Sequence, residues 1–197
     1  MNTDGFPDLV EVLINAGGVA PVLVMMLQGI AALIGLYLVC GALIELWGVS
    51  HDNALKYVAG RQRFSIGSAL VSLVVGAMLS ALSTLNLVGI LSRTLTDNYV
   101  DSRIMPSAIS YAQGAQLSDK GAVATIALLS IMQVVGFIAL VKSLMTVNRY
   151  YNNQQADLGS ATGWAIGGIL CWNFKWFADV VNNTLGFDIV SMFTPFA

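Results

Sequence analysis

The chain has 197 residues, of which 56% are hydrophobic and only 10% charged, with a net charge of −2 and a mean hydropathy of +0.74. Soluble domains carry about 25% charged residues, and less than half of that share cannot coat a water-exposed surface, so the composition is that of an integral membrane protein. A near-neutral charge with no basic face gives phosphate contacts nothing to use, and no direct nucleic-acid binding is expected.

The chain opens on MNTDGFPDLVEVL, which holds Asp4, Asp8 and Glu11 and no Lys or Arg. A secretory signal peptide needs a basic start, so the first apolar run is expected to stay in the mature protein. Residues 1–20 read as an interfacial helix, capped by Thr3 or Asp4 and stopped by Gly17–Gly18, with Leu9, Val10, Leu13 and Ile14 on one apolar side. A membrane-spanning helix needs about 20 apolar residues. Four runs qualify, at about 21–47, 65–91, 121–147 and 160–181. Pro21 suits a first helical position, and Pro7, Pro106 and Pro195 lie outside the runs. Continuous spans without proline kinks are therefore expected. The fold class is all-α: an integral membrane four-helix protein with short amphipathic terminal segments. It divides into the N-terminal segment 1–20, a first transmembrane hairpin 21–91, an outer loop 92–120, a second hairpin 121–183 and an apolar tail 184–197.

The links differ in charge. The first holds Lys56, Arg61 and Arg63, and the link after the third span holds Arg149, with Lys142 in the turns before it. The middle link spreads Arg93, Arg103 and Lys120 over a longer stretch. Lys and Arg are enriched in cytoplasmic loops, which puts the two short links inside and both termini outside. An internal repeat fits this layout. Leu27, Ile30, Gly35 and Leu43 align with Leu128, Ile131, Gly136 and Leu144; Gly67, Ser68, Ala69 and Gly76 align with Gly159, Ser160, Ala161 and Gly168. The reading is two hairpins in the same orientation, a parallel repeat rather than the inverted repeats common in transporters.

Residues that could carry chemistry are few. Cys40 and Cys171 sit inside apolar runs with no metal-ligand spacing, and the single histidine, His51, belongs at a helix end. Asp97 and Asp101 in the middle loop are a weak cation pair at best, and Ser118 or Asp119 can cap the third span. No metal or cofactor is expected. Glu45 and Lys142 fall in the last turns of spans one and three, where a position near the headgroups accounts for both and Lys142 can snorkel. Lys175 and Asp179, four residues apart in the fourth run, share a helical face. Trp172 and Trp176 bracket them, as an interfacial tryptophan belt would; the competing reading is a contact with another subunit. Packing is signalled by small residues every four positions: Ser68, Ser72, Gly76, Ser80 and Thr84 in span two, and Gly163, Gly167 and Cys171 in span four with Gly168 beside them. Such stripes let backbones approach closely, within one chain or between chains.

GLYLVCGALIEL at residues 35–46, the basic turn that follows, and GSATGWAIGGILCWNF at residues 159–174 carry a resemblance. Over about residues 20–185 the chain resembles the small multi-span inner-membrane proteins of type IVB secretion and IncI-type conjugation machines, the IcmC/DotE and TraQ-like group. The resemblance implies a bacterial inner-membrane location with periplasmic termini, and a structural, non-enzymatic role in an envelope-spanning complex. The implied partners are other membrane subunits, the lipid bilayer and further copies of the chain. Two alternatives stand beside it: a pilin-like filament subunit, and a small channel or transporter using Asn86, Gln133 or Asn173 as its polar groups.

Overall fold

The structure is a computed structural model and describes residues 9–51, 65–84, 87–96, 120–152 and 156–186. Lys56, Arg61, Arg63, Asp97, Asp101, the caps proposed at residues 3–4 and 118–119, and the tail from 187 onward lie outside the described residues. Everything described is helix or the short turns at helix ends. In chain order the helices are α1 (Leu9–Ser50), α2 (Ile66–Thr84), α3 (Leu87–Thr96), α4 (Lys120–Tyr151), α5 (Leu158–Trp172) and α6 (Phe174–Leu185).

Among the described residues, three helices are long and apolar enough to cross a membrane: Asn15–Ser50 within α1, Ile66–Ser83 within α2 and Ala127–Tyr151 within α4. The expected boundaries change in four places. The stop expected at Gly17–Gly18 does not occur, because α1 runs through both glycines. Pro21 is inside α1 rather than at its start; a proline has no N–H to give the carbonyl four residues back, so the Gly17 carbonyl loses its intrahelical donor. The run expected at 65–91 is divided between α2 and α3. The run expected at 160–181 is two shorter helices, α5 with 15 residues and α6 with 12, on either side of Asn173.

At Asn173 the i→i−4 bonding itself carries on, with the Phe177 N–H donating to the Asn173 carbonyl at 3.0 Å. The Asn173 backbone N–H and side-chain Nδ2 both donate to the Ile169 carbonyl, each at 3.0 Å. The side chain thus shares the carbonyl four residues back with the backbone, a local bond of the kind asparagine makes within helices. The other ends obey familiar rules. Asp157 caps α5, its carboxylate accepting the Ser160 N–H at 3.0 Å. Gly186, at φ 71°, closes α6 in the left-handed conformation that only glycine adopts without strain.

The helices bury small side chains and expose large ones. In α1 the buried positions include Gly17, Ala20, Val24, Ala31, Gly35 and Ala42, which step along one stripe by three, four or seven residues. Its opposite side shows Met25, Leu33 and Tyr37, 71%, 69% and 77% exposed. Water would penalise such a surface, whereas hydrocarbon does not; without a hydrophobic drive between helices, close packing rests on small residues that let backbones meet.

The described chain forms two compact units. One contains residues 27–87 and 138–167: the C-terminal part of α1, all of α2, and the neighbouring parts of α4 and α5. Within it α1 packs on α2, α2 on α4, and α4 on α5, through the contacts given below. The other contains residues 1–26, 88–137 and 168–197. Here α1 meets α4 where Gly17 lies against the backbone and side chain of Ala127. Phe137 of α4, fully buried, packs on Trp172 of α5 with ring centroids 6.5 Å apart.

Candidate functional site

The small-residue stripe of α2 faces two partners in turn. At its N-terminal end the Ser68 hydroxyl donates to Asn152 Oδ1, and the Ser72 hydroxyl donates to Asn148 Oδ1 at 2.9 Å. Asn152 Nδ2 returns bonds to Ser72 Oγ at 3.3 Å, to the Asn148 carbonyl at 2.8 Å and to Asn148 Oδ1 at 3.0 Å. Two serines one turn apart on α2 thus meet two asparagines one turn apart on α4. One turn further along α2 the stripe turns to α1. A Cβ placed on Gly76 would lie 2.7 Å from the Gly35 carbonyl and 2.9 Å from Val39 Cγ2. Ser80 donates to the Gly76 carbonyl at 3.0 Å. The Thr84 side chain lies outside the described residues.

The backbone approach at Gly35 and Gly76 recurs in the second half of the chain. A Cβ on Gly35 would lie 2.6 Å from the Gly76 carbonyl oxygen and 2.8 Å from the Ser80 nitrogen. A Cβ on Gly136 would lie 2.7 Å from the Gly168 carbonyl oxygen and 2.8 Å from the Trp172 nitrogen. In each case the second atom belongs to the residue four positions after the opposing glycine. These are the two glycine pairs that the internal repeat aligns. The residues seven positions along correspond as well. Ala42 and Ala69 are both buried, and the Ser143 hydroxyl donates to the Ala161 carbonyl at 2.7 Å. The two glycine contacts thus share nearly the same local distances.

Within the chain, only part of the stripe read in the fourth run meets a neighbouring helix. At Gly163 and Gly167 a Cβ would meet nothing within 4 Å. The contact face of α5 is instead Ala161, Gly168 and Trp172, all buried. The four-residue spacing caught Gly163 and Gly167 on the open side and Gly168, one residue on, at the crossing. Trp172 also departs from the interfacial belt: it is only 2% exposed, and its indole N–H has no acceptor among the described residues. Its ring packs against the buried Phe137 ring, with centroids 6.5 Å apart. Lys175 and Asp179 fall one turn apart on α6, and their side chains lie outside the described residues.

Two charged side chains have defined surroundings. Glu45 is 3% exposed and accepts the Ser65 N–H at 3.5 Å, at the N-terminal end of α2. The positive end of a helix favours a carboxylate there, so α1 carries an anion onto the start of α2. Lys142 is exposed, and its ammonium lies 3.7 Å above the centre of the Trp164 ring. Drawing a lysine ammonium partly out of water against apolar surface costs free energy. A cation–π contact is worth roughly 0.5–2 kcal/mol, so the tryptophan offsets part of that cost. Arg149, seven residues on, is exposed on the same side of α4. His51 sits just past the end of α1, its Nδ1 3.1 Å from the Trp47 carbonyl. No group of three metal-ligating side chains occurs among the described residues.

No protein-family model matches the chain, and searches of curated proteins and of solved structures return no match either. The reading of its role therefore stands on the helices and their contacts.

Two predictions follow from these contacts. Gly35→Ala, Gly76→Ala and Gly136→Ala each push a Cβ into opposing backbone and lower stability by about 1–3 kcal/mol, measured by denaturant titration in detergent. Gly163→Ala and Gly167→Ala, made in open space, leave it unchanged or raise it. Asn152→Ala and Ser72→Ala are each destabilising by about 0.5–2 kcal/mol. Because they act on one network, the double variant loses less than the sum; strict additivity would show that the Ser–Asn cluster does not join α2 to α4.

Proposed function

We propose that the protein is a structural inner-membrane subunit of an envelope-spanning transfer machine of the type IVB secretion or conjugation kind, acting by helix packing and assembly rather than by catalysis. The observation that carries this reading is α1. Its apolar run of 36 residues is roughly 54 Å long at about 1.5 Å per residue, against a hydrocarbon core of about 30 Å. An ordinary tilt of about 20° absorbs only a few ångströms of the difference. Apolar helix left over needs a protein cover, and large side chains are available for it: Val19, Val22, Leu23, Met25 and Met26 are all exposed.

The polar groups support an architectural role over a permeation path. The serines and asparagines between α2 and α4 bond one another, and the Asn173 amide bonds its own helix. The bacterial inner membrane, the periplasmic termini and the fourth span, made jointly by α5 and α6, belong to this proposal.

The test is isolation of the tagged full-length chain from its native membrane in mild detergent, with identification of what comes with it. Other multi-span envelope proteins are expected, at a stoichiometry of one or a few copies per assembly, and Val22→Asn with Met26→Asn reduces their recovery. A lone monodisperse chain, with transfer intact after deletion of its gene, overturns the proposal. Recovery in a helical filament would point to a pilin, and solute flux through liposomes holding the pure protein would point to a channel.

A further inference from the structure

We propose that Lys142, Arg149 and Trp164 form a binding site for the headgroup phosphate of an anionic phospholipid on α4 and α5. Lys142 lies inside the apolar run Ala127–Tyr151, nine residues before its end. It is exposed, and among the described residues no carboxylate pairs with it; its one close partner is the face of Trp164. The ring fixes the ammonium beside α5 and supports one side of it. An ammonium has three N–H donors, and among the described residues no hydrogen-bond acceptor is placed on this one.

In a bilayer the acceptor of matching charge is a lipid phosphate. Arg149 strengthens that choice. It is exposed, it follows Lys142 by two helical turns on the same side of α4, and it stands in the last turn of the apolar run. The two cations are thus set at two depths, about 10 Å apart along the helix, so a phosphate held between them lies where a headgroup lies while its acyl chains run along the apolar surface. On the α5 side, Gly163 and Gly167 leave open space next to Trp164, and Ile138 of α4 and Ile166 of α5 present exposed apolar surface to the chains. The charge and the apolar length together select a phospholipid over a soluble phosphate.

The experiment is native mass spectrometry of the full-length protein after exchange into mixed micelles with phosphatidylglycerol or phosphatidylcholine. Phosphatidylglycerol is expected to be retained preferentially. Lys142→Gln and Arg149→Gln each weaken its retention about five-fold, the worth of one basic residue near an anionic lipid. Lys142→Arg keeps it, and Trp164→Leu weakens it while leaving phosphatidylcholine unaffected. Arg149→Gln changes an exposed residue that makes no hydrogen bond or ion pair among the described residues, so it serves if Lys142→Gln fails to fold. Equal retention of the two lipids, or retention unchanged in both Lys142→Gln and Arg149→Gln, overturns the proposal. So does displacement of the lipid by inorganic phosphate alone, which would make this a site for the free anion.

Discussion

The approach of backbone to backbone at Gly35–Gly76 and Gly136–Gly168 is the constraint on which the rest of this structure depends. At each crossing the room for a Cβ is smaller than any real Cβ contact allows, so only glycine can stand there. In water such a crossing would be driven by burying large side chains around it. In hydrocarbon that drive is absent, and attraction comes from the many weak contacts that open when two helices touch along their backbones. The side chains displaced from the crossings explain the outward-facing methionines, leucines and valines: the large residues are left to lipid and to partners, and the small ones make the protein.

Polar groups add direction to what the glycines bring close. Two glycines tolerate some sliding of one helix over another, since a smooth surface has no unique register. The Ser68–Ser72 and Asn148–Asn152 pairs remove that freedom, because a shift of one turn would strand an amide in an apolar surrounding. Glu45 does the same between α1 and α2 by meeting the N-terminal end of α2. Each hydrogen bond contributes little by itself in a membrane; its effect is to penalise the wrong registers.

Much of this was legible in the residues. Low charge and long apolar runs dictate a helical membrane protein, and the stripe Ser68–Ser72–Gly76–Ser80 marks a packing face because serine and glycine at a four-residue spacing have no other common cause. Helix ends were less legible. Gly17–Gly18 and Pro21 are stop and start signals in water, where a freed carbonyl can bond solvent, yet in an apolar run the neighbouring turns hold the helix together and α1 passes through. Trp172 differs from the interfacial reading for a related reason: tryptophan favours interfaces on average, but this ring packs on the buried Phe137.

The sequence by itself determined the solvent, the secondary structure and the rule that small residues face inward, since these follow from composition and from a periodicity that each helix carries alone. Only the tertiary structure decided which small residues do so. Gly163, Gly167 and Gly168 look alike as letters, and one of them meets a neighbour because the other helix lies on that side. Likewise nothing in the order of residues says that Ser72 finds Asn148, 76 positions away, or that Lys142 rests on Trp164. Those pairings depend on the distance and angle at which two helices cross, and the crossings are set by both helices at once.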